Sequence, residues 1–380
     1  MQMLSVIGLI IAMFLLVFLA MKGIHVLAIG LICSVILAAT SGMNVWTVLT
    51  ENYMPGFSSF ITSNFLVFLA GALFGKFMND SHAADAIANW IVKKLGASKA
   101  VLAIVLSCFV LCYGGVSVFV VGFTIFPIAI SLFKEADLPR NMLPGTIGFG
   151  SITFAMTCPG TPQIQNIIPS QTLGTTTMSG AVVGIIAGIF MFIVGYIWLN
   201  SMIKKEVAKG GHFVAKEGEQ TAQLSEDEMP SVALSFVPLI VTIVLMNAFK
   251  VPAAIAIFIS IVIGVVLLNK TYKPTMIAAT FAGGATSAIS AIANTSAVVG
   301  FGSVVKAIPL FQSILGVMLN IPGPALLGAA IAVTVICGLT GSASGGLGIA
   351  IPLVGPTYVE MGVAPAALHR VASIASGALD

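Results

Sequence analysis

Residues 4–21 hold no Asp, Glu, Lys or Arg, and the same is true of 24–39, 57–74, 177–199, 232–248 and 252–268. A helix needs about 20 apolar residues to cross the hydrocarbon of a bilayer, where every backbone polar group must be satisfied within the segment. A chain with so many such runs is expected to fold in lipid as an all-α polytopic membrane protein. Charged residues make up 8 % of the 380 and apolar residues 58 %, where a soluble domain carries about 25 % charge. Mean hydropathy is +1.10. So few charges cannot cover a water-soluble surface, which excludes disorder, nucleic-acid binding and secretion as a soluble domain. The net charge of +3 is a topology signal rather than a polyanion site.

The first run reads as a span rather than a cleavable signal. Lys22 and a second run follow it, with no small-residue cleavage site between. The five cysteines, Cys33, Cys108, Cys112, Cys158 and Cys337, lie in apolar segments without a C-x-x-C or a His at ligand spacing. They read as small buried residues, and no metal or cofactor is expected. Loop 40–56 has no Lys or Arg, whereas Lys76, Lys93, Lys94 and Lys99 follow the third run. The N-terminus is therefore expected outside and the Lys-rich side in the cytoplasm. Within 81–95, Ala83, Ile87, Trp90 and Ile91 alternate at helical period with His82, Asp85, Asn89 and Lys93. That pattern predicts a helix lying on the membrane surface.

The remaining apolar stretches are interrupted. Segment 100–133 is broken by Gly114-Gly115, and basic residues flank both its ends. Its first limb, roughly 21 Å as a helix, falls short of a bilayer core of roughly 30 Å. The segment predicts a re-entrant hairpin from the cytoplasmic side, with one long kinked helix as the plain alternative. Segment 142–173 is interrupted by Thr157-Cys-Pro-Gly-Thr-Pro-Gln-Ile-Gln-Asn166. Two prolines and a glycine so close together do not continue a helix, so a spanning helix unwound at mid-membrane is expected. Segment 203–230 carries Lys204, Lys205, Lys209, Glu217, Glu219, Glu226, Asp227 and Glu228 and reads as a cytoplasmic linker.

The second half replays the first at an offset of about 225 residues. Tyr113-Gly-Gly-Val-Ser117 with Pro127 matches Thr340-Gly-Ser-Ala-Ser344 with Pro352. Counting helices turns the second copy upside down. The expected organisation is a first repeat over 1–202, with hairpin 100–133 and broken helix 142–173. The linker 203–230 follows, then a second repeat over 231–380 with hairpin 326–354. Inverted repeats with paired discontinuous helices mark secondary transporters, whose site lies near the midplane at the repeat interface.

Unwound turns expose backbone N–H and C=O groups, and half-helix N-termini aim partial positive charge at a cavity. A carboxylate fits there without an arginine, while carbonyls and hydroxyls can hold a small cation. The candidate side chains are Ser117, Thr157, Thr161, Gln163, Gln165, Asn166, Thr340, Ser342 and Ser344, with Gly114, Gly115, Gly160 and Gly341 allowing close backbone approach. Any one Ser or Thr can equally cap a helix or bond back to its own helix. Gln163, Gln165 and Asn166 as a group cost too much in hydrocarbon unless paired or functional. The confident spans hold no Asp, Glu, Lys or Arg, and no Ser–His pair is placed for acyl chemistry. An intramembrane enzyme is therefore a remote second class, and no catalytic residue is assigned.

Tyr113-Gly-Gly-Val-Ser-Val-Phe119, Pro159-Gly-Thr-Pro-Gln-Ile-Gln-Asn166 and His369-Arg-Val-Ala-Ser-Ile-Ala-Ser-Gly377 resemble the gluconate permease (GntP) family of the ion transporter superfamily. The resemblance covers nearly the whole chain, and its most specific block is Pro159 to Asn166. It implies a multi-pass plasma-membrane symporter for gluconate or a related small hydroxy acid such as 3-hydroxybutyrate, usually driven by protons. A sodium-coupled carboxylate transporter, an antiporter and a channel are the rival readings. The superfamily implies a homodimer of elevator type, in which a transport domain carries both hairpins and both broken helices past a scaffold. By carry-over the hairpin tips are 114–117 and 340–344, and the first broken turn is 157–166. Family members run further than this chain, which implies a second broken helix continuing past Asp380.

Overall fold

A computed structural model describes residues 2–116, 118–215, 228–319 and 321–378. Ser117, Glu217, Glu219, Glu226, Asp227 and Asp380 lie outside the described residues. The described chain is helical, with no strand. Its first part runs α1 (Gln2–Met21), α2 (Val26–Thr40), α3 (Val45–Val48), α4 (Met54–Asp80), α5 (Ala83–Leu95), α6 (Ala100–Tyr113), α7 (Val118–Glu135), α8 (Leu143–Gly148), α9 (Ile164–Leu173) and α10 (Ala181–Ala208). There follow α11 (Val232–Asn247), α12 (Ala253–Leu267), α13 (Ile277–Ala307), α14 (Pro309–Leu319), α15 (Ala325–Thr340), α16 (Ala343–Glu360) and α17 (Pro365–Ala375).

Met3–Met21, Val45–Asp80, Ala181–Ala208 and Pro274–Ala307 are long and apolar enough to cross a bilayer. Over residues 182–202 of α10 the exposed side chains are apolar, with Val182 at 73 % and Phe190 at 65 % exposure. Surfaces of that kind are stable against lipid and not against water. Helix α10 also runs to Ala208, so the first residues of the expected linker, Lys204 and Lys205, are helical. Helix α5 meets the following helical segment, Ala97–Tyr113, at 101°, the angle expected where a surface helix turns into a limb that enters the membrane. Its buried stripe is Ala83, Ala84, Ala86, Ile87, Ala88 and Ile91. Trp90, assigned to the apolar face, is instead 44 % exposed and stacks edge-on against Phe236. The small side chains of the alanines let a packing helix approach where the indole would not fit.

The first interrupted segment ends regular helix where its sequence dictates. Helices α6 and α7 pack against each other on either side of Gly114 and Gly115, as a hairpin requires. Helices α15 and α16 do the same, joined at Gly341 in a left-handed conformation. The segment after α8 passes through a wide π-helical turn, Phe149–Thr153, and is then non-helical until α9 starts at Ile164. The unwound stretch therefore ends earlier than expected: Gln165 and Asn166 stand in the first turn of α9.

The chain divides into two compact units. One contains Met1–Phe68, Ile164–Gly180 and Ile289–Asp380, the other Leu69–Gln163 and Ala181–Ala288. The first unit joins α1 and α2 to α9, to α14 and to the hairpin α15–α16 with α17, and within it α1 packs on α2 and α14. The second joins α11 and α12 to α5, to the hairpin α6–α7 and to α8, and within it α11 packs on α12 and α5. Helix α4 passes from the first unit to the second after Phe68, and α13 returns after Ala288. In the second unit Asp80, which pairs with Lys76, accepts a 2.6 Å hydrogen bond from Thr280 Oγ1 and so ties the end of α4 to the start of α13.

Candidate functional site

The expected site residues fall into two groups, one in each compact unit. In the second unit the hairpin tip at Gly114–Gly115 sits on the non-helical turn of 157–163. Gly115 has φ +106°, and a Cβ there would stand 2.8 Å from Pro162 Cγ, so only glycine allows this contact. Tyr113 Oη donates to the Pro159 carbonyl at 2.9 Å. Gln163 Nε2 donates to the Cys112 carbonyl at 2.7 Å and reaches the Val116 carbonyl at 3.3 Å. Those carbonyls belong to the end of α6 and the tip, where helical partners run out. Gln163, expected at substrate or ion, uses its amide N–H to fasten the turn to the hairpin. Asn247 Nδ2 donates to the Gly160 carbonyl at 2.9 Å, and Gly160 takes φ +86°. Thr157 Oγ1 bonds back to the Thr153 carbonyl at 3.3 Å. Thr161 is fully buried, and its Oγ1 meets no hydrogen-bond partner among the described residues. It is the side chain of this group whose chemistry remains open to a ligand.

In the first unit the tip of the hairpin α15–α16 is set by short-range bonds. Thr340 Oγ1 donates back to the Cys337 carbonyl at 3.0 Å. Ser342 caps α16 by accepting from Gly345 N–H at 3.1 Å, and its Oγ lies 3.4 Å from Ser344 Oγ. The two limbs touch closely at Gly346, where a Cβ would stand 2.5 Å from Cys337 Cα. Ser342 and Ser344 are only half-buried, so the N-terminal end of α16 presents hydroxyls and N–H dipoles on an accessible face.

The same unit contains a buried network that the sequence pattern did not assign. Arg370, on α17, is 1 % exposed. Its Nη1 donates to Asn166 Oδ1 at 2.8 Å, its Nη2 to the Thr177 and Ser179 carbonyls at 2.9 Å each, and its Nε to Ser179 O at 3.1 Å. His369, also buried, has Nδ1 at 2.7 Å from Thr175 Oγ1 and Nε2 at 3.4 Å from Asn166 Oδ1. Because Asn166 Oδ1 already accepts from arginine, both contacts are satisfied when His369 Nε2 carries the proton and Thr175 donates to Nδ1. Ser373 Oγ lies 2.8 Å from the Gln165 carbonyl. Asn166, expected at the ligand, is thus held by α17. The signal was present in His369-Arg370, an arginine beside a histidine in an apolar setting, but only long-range packing shows what it reaches.

Gly180 and Gly188, which form a small-residue ridge with Gly184 in sequence, face different partners. Gly180 precedes α10 at φ +63° against Arg370 Cβ, and Gly188 packs against Cys158 Sγ. The cysteines of α6, Cys108 and Cys112, are buried and free.

A family model described as GntP family permease matches residues 3–254. The chain belongs to the GntP permease family. Its relatives include the "Uncharacterized transporter YxjC" of Bacillus subtilis, 33 % identical over 414 aligned residues that cover 97 % of this permease and 88 % of the relative. An "Uncharacterized transporter" of Haemophilus influenzae is 29 % identical over 198 residues, covering 52 % of this permease and 45 % of that protein. An "Uncharacterized permease" of the same organism is 27 % identical over 256 residues, covering 63 % and 50 %. The permease is therefore an integral membrane transporter rather than an enzyme. The family match takes in the first hairpin tip and the turn of Thr157, Gly160, Thr161 and Gln163. The match to the Bacillus relative extends across nearly the whole chain.

Proposed function

We propose that this permease is a secondary active transporter that carries gluconate, or a related small hydroxy acid such as 3-hydroxybutyrate, together with a cation across the plasma membrane. The observation that carries the proposal is the pairing, in each compact unit, of a glycine-containing hairpin tip with polar groups and a helix N-terminus. In one unit Thr161 stands in the turn beside the tip of Gly114 and Gly115. In the other Ser342 and Ser344 stand at the start of α16, with Gln165 and Asn166 in the first turn of α9. Helix N-termini stabilise a carboxylate, and acceptor oxygens pair with the hydroxyls of a hydroxy acid.

Alternating access follows from an inverted repeat. In support, the halves share one order of elements: two helices, a long helix, a short helix, a two-limbed hairpin and a further helix. The second limb of each hairpin contains a proline, Pro127 in α7 and Pro352 in α16. In the proposed mechanism hairpins and broken helices move together in an elevator step, within a homodimer. The rival mechanisms are antiport and uncoupled flux. Proteoliposome uptake of labelled gluconate and 3-hydroxybutyrate under imposed proton or sodium gradients decides among them. Saturable, gradient-driven uptake is expected. Absence of saturable uptake of any small carboxylate under either gradient would overturn the proposal.

A further inference from the structure

The unit that contains α9 and the second hairpin holds a set of buried oxygens for which the fold supplies no donor. Asn64 Oδ1, Gln165 Oε1, Asn294 Oδ1 and Ser296 Oγ are shielded from solvent and have no hydrogen-bond partner among the described residues. Asn64 and Gln165 are 5 % exposed and Ser296 is fully buried. Asn64 Nδ2 donates to the Phe60 carbonyl at 3.0 Å, which orients its amide and leaves the oxygen as the open group. Each of these atoms would cost several kcal/mol in an apolar medium if it remained alone.

Their elements converge on one apolar cluster. Phe60, Phe65 and Phe68 of α4, Ile164 and Ile168 of α9, and Ile292 and Val299 of α13 belong to it or pack against it. Asn64 lies one helical turn from both Phe60 and Phe68, in the middle of that face. Ser296 lies between Ile292 and Val299 on the corresponding face of α13, and Gln165 stands beside Ile164 and Ile168 in the first turn of α9. The start of α16 closes on the same helices. A Cβ on Gly345 would stand 3.0 Å from Val298 Cγ1, and one on Gly348 would stand 3.2 Å from Phe60.

We infer that the oxygens of Asn64, Gln165 and Ser296 bind a dehydrated sodium ion. This assignment rests on the proposed cation coupling and names its ion and its ligands. All can accept, and the amide oxygens of Asn64 and Gln165 can only accept, so their ligand must supply positive charge or N–H and O–H groups. Amide and hydroxyl oxygens do not take up a proton near neutral pH, so the set does not serve a proton directly. It holds no carboxylate, which a divalent ion such as calcium or magnesium requires. A monovalent hard cation in a cage of neutral oxygens meets both conditions, and transporters use carbonyl oxygens in this way beside discontinuous helices. Three elements, α4, α9 and α13, contribute ligands beside the hairpin start, so the ion would fix the hairpin against helices from both halves of the sequence.

The test uses the full chain in lipid nanodiscs and reads melting temperature against sodium chloride, with potassium and choline chloride at equal ionic strength. Sodium alone is expected to raise the melting temperature, saturably. Asn64→Leu removes the open oxygen at similar volume. In choline it should be as stable as the wild type or more so, since a buried unsatisfied atom has gone, and its apparent sodium affinity should fall about tenfold or more. Ser296→Ala should do the same, and it carries the test if Asn64→Leu does not fold. Equal melting temperatures in the three salts, a response to potassium alone, or sodium responses unchanged in the folded variants would overturn the assignment. Uptake distinguishes this failure from failure of the proposed function. Carboxylate uptake driven by protons without sodium leaves the symporter and removes the sodium site. Sodium stabilisation lost in the variants, without carboxylate uptake, leaves the site and removes the symporter.

Discussion

Arg370 Nη1 donates to Asn166 Oδ1 across 2.8 Å, joining residues 204 positions apart in the chain. The same guanidinium binds the backbone of Thr177 and Ser179. It therefore orients the first turn of α9 from below and holds the segment that leads into α10. A planar fork with several fixed donors suits this task, and an ammonium does not.

Replacing Arg370 should consequently be severe. Arg370→Gln takes the guanidinium donors from Asn166 Oδ1 and from the carbonyls of Thr177 and Ser179, at about 1–3 kcal/mol for each buried acceptor left unsatisfied. Arg370→Lys retains charge but loses the divergent bonds, and should also lower the melting temperature of the purified permease. A wild-type melting temperature in Arg370→Lys would show that the fork geometry does not matter.

Thr161 and Gln163 should separate cleanly, although they are two residues apart. Gln163→Ala removes the bonds to Cys112 and Val116 and is expected to destabilise by about 1–3 kcal/mol. Thr161→Val removes a buried oxygen that has no partner among the described residues, so stability should hold or rise. If Thr161 meets substrate, its uptake affinity should weaken about tenfold. Thermal denaturation and uptake kinetics on both variants check this. Normal transport by Thr161→Val would exclude that hydroxyl from the site.

The hairpin tips demand glycine for different reasons. Gly115→Ala adds a Cβ at positive φ and close to Pro162, so strain and contact act together. Gly346→Ala places a Cβ 2.5 Å from Cys337 Cα, and backbone on the opposite limb cannot swing aside as a side chain would. Each should cost roughly 1–3 kcal/mol, measured as reduced yield of folded protein and melting temperature. Gly122→Ala, where nothing stands within 4 Å, is the control and should be silent.

Orientation is testable with single cysteines at Glu51, Lys94, Lys209, Lys250 and Lys273, all exposed in the structure. Positions 51 and 250 should react with an impermeant maleimide in intact cells. Positions 94, 209 and 273 should react only after permeabilisation. External labelling at Lys209 would invert the second half and with it the proposed repeat.

Sequence alone determined the solvent of this protein and the order of its parts. Six charge-free runs require lipid, because no water-soluble surface can be made from them. Gly114-Gly115, Pro159-Gly-Thr-Pro162 and Gly341 break helices locally, through backbone conformation, so the helix breaks at these positions were legible. Which polar side chains serve a ligand was not. Gln163 and Thr161 look alike in sequence, yet the amide N–H of one is held by carbonyls 47 and 51 residues away and the hydroxyl of the other meets no partner among the described residues. Arg370 and Asn166 are joined, and the helices of Asn64, Gln165 and Ser296 meet at one apolar cluster, only through the packing of α4, α9, α13 and α17. Helix breaking is a property of neighbouring residues. Hydrogen-bond satisfaction in a buried interior depends on which distant elements the fold brings together, and only the tertiary structure decides that.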